Sequence, residues 1–242
     1  MDQLRFVKEC QVALWSQRED CQAALSYLMN ERGLSEALLR SLEIGYCTKQ
    51  QTLPVMSDGW SPRPIVDKII VPIRAEFGEL VSFAGRSPDP SIKGWWNGRF
   101  DKQNHLFLLH NARRAIRQRN KVYLLEGYMD AMTMHQEGLD NACSLMGLLL
   151  GYRRVGLLKR YCNRVCLCFD TDVNESGQKA QNRAIAELSR YKFETISKIE
   201  LPLKIDPDEF VLQHGIEEYL GLEIILPPSE IKRHVRAYKE SR

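Results

Sequence analysis

The chain has 242 residues, with 34 lysines and arginines against 31 acidic residues, so its formal net charge is only +3. This length predicts one large domain or two small ones. The 44% of hydrophobic residues are enough to build a core, which excludes wholesale disorder. No apolar run reaches the ~18 residues needed to cross a bilayer, and the first residues lack the apolar stretch of a signal peptide. We therefore expect a cytoplasmic protein without a membrane partner.

The seven cysteines are scattered along the chain, and none forms a CxxC pair. Their spacing supports neither a disulfide framework nor a zinc site, so no zinc is expected. Cys166 and Cys168 alternate within an apolar run, where we expect them to pack as small buried residues.

The first third of the chain has the apolar periodicity of helices, with predicted ends at Gly33 and Gly45. Ser35 is a candidate cap for the third of these helices. A loop is predicted over residues 47–64. A hairpin over Lys68–Arg74 and Leu80–Phe83, a long polar loop with two tryptophans and a basic helix over residues 111–118 are predicted to follow.

From residue 121 onward, short apolar strands alternate with helices, which predicts an α/β domain with a mostly parallel sheet. The predicted strands cover residues 122–125, 142–145, 164–169 and 194–201. The fold class is therefore α/β, with an α+β amino-terminal basic subdomain at residues 1–118, the α/β domain at 119–225 and a helical tail at 226–242. The tail pattern favours a helix that docks on the body, and contact with a partner or nucleic acid is the alternative.

Carboxylates come shortly after the ends of three of the predicted strands. Glu126 directly follows the first strand, Asp170 and Asp172 follow the third, and Asp206 and Asp208 follow the fourth. Ligands of open α/β sheets bind outside the carboxyl ends of the strands. Carboxylates gathered there would repel one another unless cations neutralised them, and hard divalent ions such as Mg²⁺ or Mn²⁺ suit such a site.

Each carboxylate also has an ordinary structural interpretation. An Asp after a strand is most often a turn former or a helix cap. The run Asp206-Pro-Asp-Glu209 is also a good helix start, since proline suits the first position and acids suit the positive end of the helix dipole. Only the joint placement of these residues favours a functional site.

The motifs resemble a known family. Glu126-Gly-Tyr-Met-Asp130 and Asp170-Thr-Asp172 resemble the Toprim domain of primases, topoisomerases and some nucleases. Together with Asp206-Pro-Asp-Glu209, they are more closely similar to the catalytic core of the DnaG-type bacterial primase. The motif Ile69-Ile-Val-Pro-Ile-Arg74 and the residues that follow it resemble the basic subdomain of that core. The resemblance runs in colinear order over about residues 20–215.

The resemblance implies a role for each matching residue. Glu126, Asp170 and Asp172 would be catalytic, and two or more Mg²⁺ or Mn²⁺ ions would be held by a set of carboxylates: Glu126, Asp130, Asp170, Asp172, Asp206 and Asp208. Template DNA and nucleoside triphosphates would be bound by Arg86, Lys93, Asn97 and Lys102.

The chain departs from the family pattern at a few positions. Thr171 stands where the family usually has glycine, Gly147-Leu148 replaces a Gly-Thr pair, and the spacing from Lys93 to Asn97 is one residue longer. The sequence contains neither the zinc-binding module nor the helicase-binding domain of replicative primases. We therefore expect a bare catalytic core, from a mobile element or phage or trimmed from a longer protein, with a separate helicase or template-binding protein as partner.

The basic charge is concentrated in one stretch. Residues 86–121 contain nine lysines and arginines against two acids, which gives +7 in 36 residues and leaves the rest of the chain at −4. Arg113, Arg114 and Arg117 lie in a run without acids, which favours a phosphate-binding stripe beside the acidic edge, although a solvated helix face is the alternative. Trp95 and Trp96 are candidates for base stacking or for loop packing.

These features predict a primase-like enzyme that makes RNA primers on single-stranded DNA by nucleotidyl transfer with two metal ions. Two alternatives stay open. A Toprim nuclease would use similar carboxylates with water as the nucleophile, and a catalytically silent DNA-binding replication protein would keep only the fold.

Overall fold

The computed structural model describes residues 2–51, 53–54, 63–89, 91–169, 175–202 and 205–241. The chain forms two compact units, Met1–Phe100 and Asp101–Arg242. The sequence-based boundary at residue 118 differs from this division. The basic helix before residue 119 packs its apolar face, including Ala112 and Ile116, into the core of the second unit, which explains the difference.

The first unit combines helices with a four-stranded antiparallel sheet in the order β1-β2-β3-β4. Ser35 caps α3, as predicted, by accepting a hydrogen bond from the backbone N–H of Leu38 at 3.3 Å. The elements are α1 (Gln3–Leu14), α2 (Glu19–Ser26) with a π-helical continuation (Tyr27–Glu31), α3 (Glu36–Ser41), β1 (Gly45–Cys47), a 3₁₀ turn (Arg63–Ile65), β2 (Lys68–Arg74), β3 (Leu80–Arg86) and β4 (Trp95–Asn97).

The core of the first unit lies between α1 and the sheet. The Phe6 ring of α1 lies 5.1 Å from the Phe83 ring of β3, and Phe83 in turn stacks on Trp96 of β4 at 5.7 Å. Gly45 of β1 approaches α1 so closely that a Cβ there would lie 2.6 Å from the Cys10 carbonyl carbon. A side chain at residue 45 would therefore push the helix off the sheet.

The second unit contains a five-stranded sheet in the order β6-β5-β7-β8-β9. The first four strands are parallel and β9 is antiparallel to β8, so the predicted mostly parallel sheet is confirmed. The elements are a 3₁₀ turn (Lys102–Asn104), α4 (Leu109–Arg119), β5 (Lys121–Leu125), α5 (Tyr128–Gln136), β6 (Ala142–Ser144), α6 (Tyr152–Lys159), β7 (Arg164–Cys168), α7 (Glu175–Arg190), β8 (Thr195–Ile199), α8 (Pro207–His214), α9 (Ile216–Gly221), β9 (Glu223–Ile225) and α10 (Pro228–Glu240).

Helices on the two faces bury the central strands, which explains why β5 and β7 are continuous apolar runs. Leu124 and Leu167 are almost completely buried in one core cluster. The tail docks on the body, since α10 packs along α7 and Ile231 contacts the same cluster. Across the described ranges, no helix has the length and apolar character needed to cross a membrane.

Three short strands were not predicted. β1 lies partly where a helix end and a loop were expected, β4 lies in the predicted polar loop, and β9 precedes the tail. Each has three residues, which is too short for an alternating pattern to distinguish a strand from a loop.

His135, near the end of α5, links that helix to β6 by a hydrogen bond. Its Nε2 donates a hydrogen bond to the Ala142 carbonyl at 2.9 Å. Burial lowers the pKa of His135, and this hydrogen bond only partly opposes the effect. Burial likewise lowers the pKa of His105 and of His234 in the same unit.

These pKa shifts predict that acid weakens the fold. Below about pH 6.5 the unfolded chain binds protons that the buried imidazoles bind less readily, so the free energy of unfolding falls as the pH drops through that value. His135→Gln keeps a donor for Ala142 but cannot titrate. We expect urea unfolding at pH 7 and pH 5 to show a smaller loss of stability in this variant than in the unmodified protein. His214→Gln, at an exposed site, is the matched control, and an equal loss in both variants would contradict the assignment.

Candidate active site

Glu126 follows the last residue of β5, and its main chain is held by two hydrogen bonds. The Glu126 carbonyl accepts one from the Ser144 hydroxyl at 2.8 Å and one from the Gly147 N–H at 2.9 Å. Ser144 is completely buried at the end of β6, and its hydroxyl also accepts a hydrogen bond from the Met146 N–H at 2.9 Å. The neighbouring strand therefore fixes where the half-buried Glu126 side chain leaves the sheet.

Asp130 lies in the first turn of α5 and is almost buried. Its Oδ2 accepts a hydrogen bond from the Gly127 N–H at 3.1 Å. A Cβ at residue 127 would lie 2.4 Å from that oxygen, so only glycine leaves room for the carboxylate. The Glu-Gly pair at the strand end thus couples the position of Asp130 to that of Glu126.

Asp206 and Asp208 lie at the start of α8, which packs against α5. Asp206 is the exposed N-cap residue, but its side chain makes no capping hydrogen bond. Asp208 is buried, and its Oδ1 accepts a hydrogen bond from the Glu209 N–H at 2.9 Å. The structural interpretation of this segment as a helix start is confirmed.

Asp170 and Asp172 lie outside the described residues. The chain reaches them from β7, whose last residue Cys168 is the register partner of Leu125 in β5. β7 and β5 therefore end at the same level, which we call the carboxyl edge of the sheet. Within the described ranges, no three histidine, cysteine, aspartate or glutamate side chains are close enough together to hold a metal ion.

Arg154 is a buried residue near this edge that sequence reasoning missed. Its Nε donates to the His105 carbonyl at 2.9 Å and its Nη1 to the Leu149 carbonyl at 2.6 Å. Burial lowers the pKa of Arg154 to about 10. The guanidinium thus ties the segment before α4 to the loop after β6, which also supplies the Gly147 donor. Ser144 was missed as well, because a buried serine at a strand end carries no sequence signal of a cross-strand hydrogen bond.

Three of the predicted nucleotide-binding residues lie in the first unit. Arg86 ends β3 and is the register partner of Trp95 in β4, with its guanidinium carbon 5.8 Å from the centre of the Trp95 ring. Asn97 ends β4, and Lys93 is exposed in the loop before that strand. All three residues therefore lie in or beside the β3–β4 hairpin, at one edge of the antiparallel sheet. Trp96 is half-buried and stacks on Phe83 at the side of the first core, in agreement with the alternative of loop packing.

The remaining predicted basic residues belong to the second unit and do not share one location. The Phe107–Ser144 bridge fixes the chain just before α4 at the carboxyl edge. Lys102 precedes this bridge and is half-buried, and burial, with the nearby charge of Arg154, lowers its pKa. From the bridge, α4 runs back to the start of β5 and carries the other basic residues with it, in the order Arg113, Arg114 and Arg117.

The direction of α4 corrects one prediction from the sequence. The basic stretch does not lie beside the acidic edge along its whole length. Since α4 ends where β5 begins, Arg117 lies toward the opposite edge, which we call the amino edge of the sheet. The sequence run looked continuous, but the helix separates its two ends by about 15 Å.

Comparison with known proteins agrees with this geometry. Residues 123–211 match the family model described as Toprim-like. The chain is 29% identical to the DNA primase of Enterococcus faecalis over 232 residues, which is 83% of this chain and 36% of that protein. It is 30% identical to the DNA primase of Geobacillus stearothermophilus over 232 residues, which is 83% of this chain and 37% of that protein. The chain thus spans about a third of the length of these relatives.

Solved structures match over nearly the whole chain. The zinc-binding and RNA polymerase domains of the Aquifex aeolicus primase superpose with a TM-score of 0.79 at 22% identity, covering 97% of this chain and 65% of that one. A DnaG primase catalytic domain bound to ssDNA superposes with a TM-score of 0.76 at 23% identity, covering 95% and 84% respectively. Residues 123–211 therefore form a Toprim-like domain. The chain is similar to bacterial DNA primases over most of its length and has the fold of the DnaG catalytic core, as the motifs predicted.

The Ser144 hydroxyl gives a test of how the edge is held together. We expect Ser144→Ala to lower the free energy of unfolding by about 1–3 kcal/mol, because the Met146 N–H and the Glu126 carbonyl each lose a partner. Urea denaturation measures this change, and hydrogen exchange should become faster at the Met146 amide. Ser82→Ala is the matched control, since Ser82 is equally buried but its hydroxyl makes no hydrogen bond among the described residues. Equal stability losses in the two variants would contradict the stabilising role of the Ser144 hydrogen bonds.

Proposed function

We propose that this chain is the catalytic core of a DNA primase, an enzyme that joins ribonucleotides into short RNA primers on single-stranded DNA. One observation carries the proposal: similarity to DNA primases extends over 83% of the chain, through both units, rather than over the Toprim-like residues alone. A nuclease or topoisomerase that shared only the Toprim domain would not be expected to match the first unit. Because the chain covers only part of its relatives, their full activity is inferred for it.

Single-stranded DNA is the proposed template. The structural neighbour described as bound to ssDNA has the same fold over 95% of this chain, which supports this choice. Nucleoside triphosphates are the proposed substrates, and Arg86, Lys93, Asn97 and Lys102 are the proposed residues that receive them. We also propose that a separate helicase or template-binding protein delivers the template.

Divalent ions are the proposed cofactor, and the chemistry of the donor set fits them. Carboxylate oxygens are the ligands that Mg²⁺ and Mn²⁺ prefer. Asp130 and Asp208 each accept a hydrogen bond from a backbone N–H, which orients the carboxylate. The residues proposed to hold the ions are Glu126, Asp130, Asp170, Asp172, Asp206 and Asp208. When bound, such ions would activate the attacking 3′-hydroxyl and offset the charge of the triphosphate.

The protein's own part is to place these groups before substrate arrives. Ser144 and Gly147 hold the Glu126 main chain, and Gly127 leaves space for the Asp130 carboxylate. Like-charged carboxylates at one edge of the sheet repel one another. The hydrogen bonds that hold them in place offset part of this repulsion. This arrangement supports Glu126 as the catalytic acidic residue of the site.

The proposal predicts a loss of primer synthesis when Glu126 is neutralised. With single-stranded DNA, labelled ribonucleotides and Mg²⁺ or Mn²⁺, we expect Glu126→Gln to reduce new oligoribonucleotides at least ~100-fold, the range found for positioned acid–base groups. Glu194→Gln removes the same charge at an exposed site just before β8 and should leave synthesis unchanged. Asp170→Ala and Asp172→Ala should abolish synthesis while circular dichroism shows a folded protein. Full synthesis by all three site variants would refute the mechanism.

The same assay separates the alternatives. New oligoribonucleotides identify a primase, whereas shortened DNA identifies a Toprim nuclease. DNA binding with neither product identifies a silent replication protein, and the primase proposal then falls.

A further inference from the structure

Four arginines converge at the amino edge of the parallel sheet. Arg114 and Arg117 lie on α4, and Arg160 and Arg164 flank the turn between α6 and β7. All four are exposed, and we call them the amino-edge basic surface. Arg117, Arg160 and Arg164 lie at the end of the sheet opposite Glu126, because α4 and α6 both finish where the strands that follow them begin. Arg114 lies about one turn further back along α4.

Aromatic and backbone contacts hold this surface in shape. The guanidinium carbons of Arg117 and Arg160 lie 4.8 Å and 6.0 Å from the centre of the same Tyr161 ring. Tyr161 is itself buried in the core, so the platform beneath these charges is rigid. Contacts of this kind restrict an arginine side chain without neutralising it.

Hydrogen bonds join the two loops that carry the arginines. The Asn163 N–H donates to the Asn120 side-chain oxygen at 2.7 Å, and the Arg164 Nε donates to the Asn120 carbonyl at 3.3 Å. Asn120 closes α4 in a left-handed conformation that asparagine tolerates. The end of α4 and the start of β7 therefore form one fixed unit, so a ligand would find the arginines already in place.

The charge of this surface is largely uncompensated. Nearby cations have carboxylate partners: Arg119 pairs with Asp140, and Arg190 pairs with Glu187. In the part of the chain that the structure describes, Arg114, Arg117 and Arg164 form no such ion pair. Like charges gathered on one surface repel one another, and a polyanion relieves that repulsion.

We propose that the amino-edge basic surface binds the sugar–phosphate backbone of a nucleic acid, as a contact separate from the carboxyl edge. The inference rests on the proposed function, since a primase core must hold a strand longer than its reacting nucleotides. Arginine binds phosphate oxygens through two N–H groups, and backbone contacts of this type position a strand without reading its sequence. An acidic protein is the competing occupant, and the test below separates the two.

The dimensions of the sheet set the length of nucleic acid involved. The five residues of β5 span about 16 Å, which corresponds to about five nucleotides of stacked strand at 3.4 Å each. A strand engaged at the carboxyl edge therefore reaches the amino edge only if it extends beyond that length.

The double variant Arg114→Ala/Arg117→Ala tests the surface. Its binding to a single strand of about 30 nucleotides is measured against salt concentration, where each phosphate contact contributes about 0.7 to the slope of log K against log salt. Losing two contacts should reduce the slope by about 1.4 and weaken binding about 25-fold near 0.1 M salt, with the difference vanishing toward 1 M. Lys232→Ala/Lys239→Ala removes the same charge from exposed positions of α10 and should bind like the unmodified protein.

Each outcome decides the proposal. An unchanged slope in the arginine variant overturns it and leaves an acidic protein as the occupant. Equal losses in the two double variants also overturn it, because net charge alone would then explain binding. Primer synthesis by the unmodified protein tests the proposed function separately. DNA binding that depends on Arg114 and Arg117 without any synthesis would keep this surface and reject the primase assignment.

Discussion

The parallel pairing of β5 with β7 is the constraint on which the second unit depends. Its register sets Leu125 opposite Cys168, so both strands end at one level and the chain leaves both at the carboxyl edge. Parallel strands also require crossover connections, and the helices of these connections bury both faces of the sheet. The apolar runs, the helix positions and the location of Glu126 all follow from this one pairing.

The sequence predicted this architecture because its main elements have strong local signals. Continuous apolar runs such as residues 165–169 predict buried strands, and the glycine after α5 marks a helix end. The weak points were β1, β4 and β9, which form only because a longer neighbour offers an unpaired edge. Such pairing depends on tertiary context, so it leaves no period in the sequence.

The candidate site was predicted in part, for a related physical reason. Glu126, Asp206 and Asp208 could be singled out because position after a strand is a local property of the chain, whereas Asp130 was named only through the resemblance. Ser144 and Arg154 could not, since their importance lies in hydrogen bonds to residues distant along the chain. The basic stretch was predicted to lie beside the acidic edge along its whole length. That prediction was wrong because a sum of charges along the sequence ignores the direction in which α4 runs. The roles of all six carboxylates stay predictions, and Asp170 and Asp172 also lie outside the described residues.

The separation of charge within the second unit has a mechanistic consequence. In the proposed function, the carboxylate edge would repel the phosphates of its substrates, so strands and triphosphates could not be held there by the acids themselves. Cations placed directly among the carboxylates would pair with them and compete with divalent ions. α4 avoids both problems by leaving Lys102 near the carboxyl edge while it carries Arg114 and Arg117 away from it. One basic stretch of sequence could thereby attract a polyanion to the domain without placing arginines among the carboxylates that are proposed to bind metal.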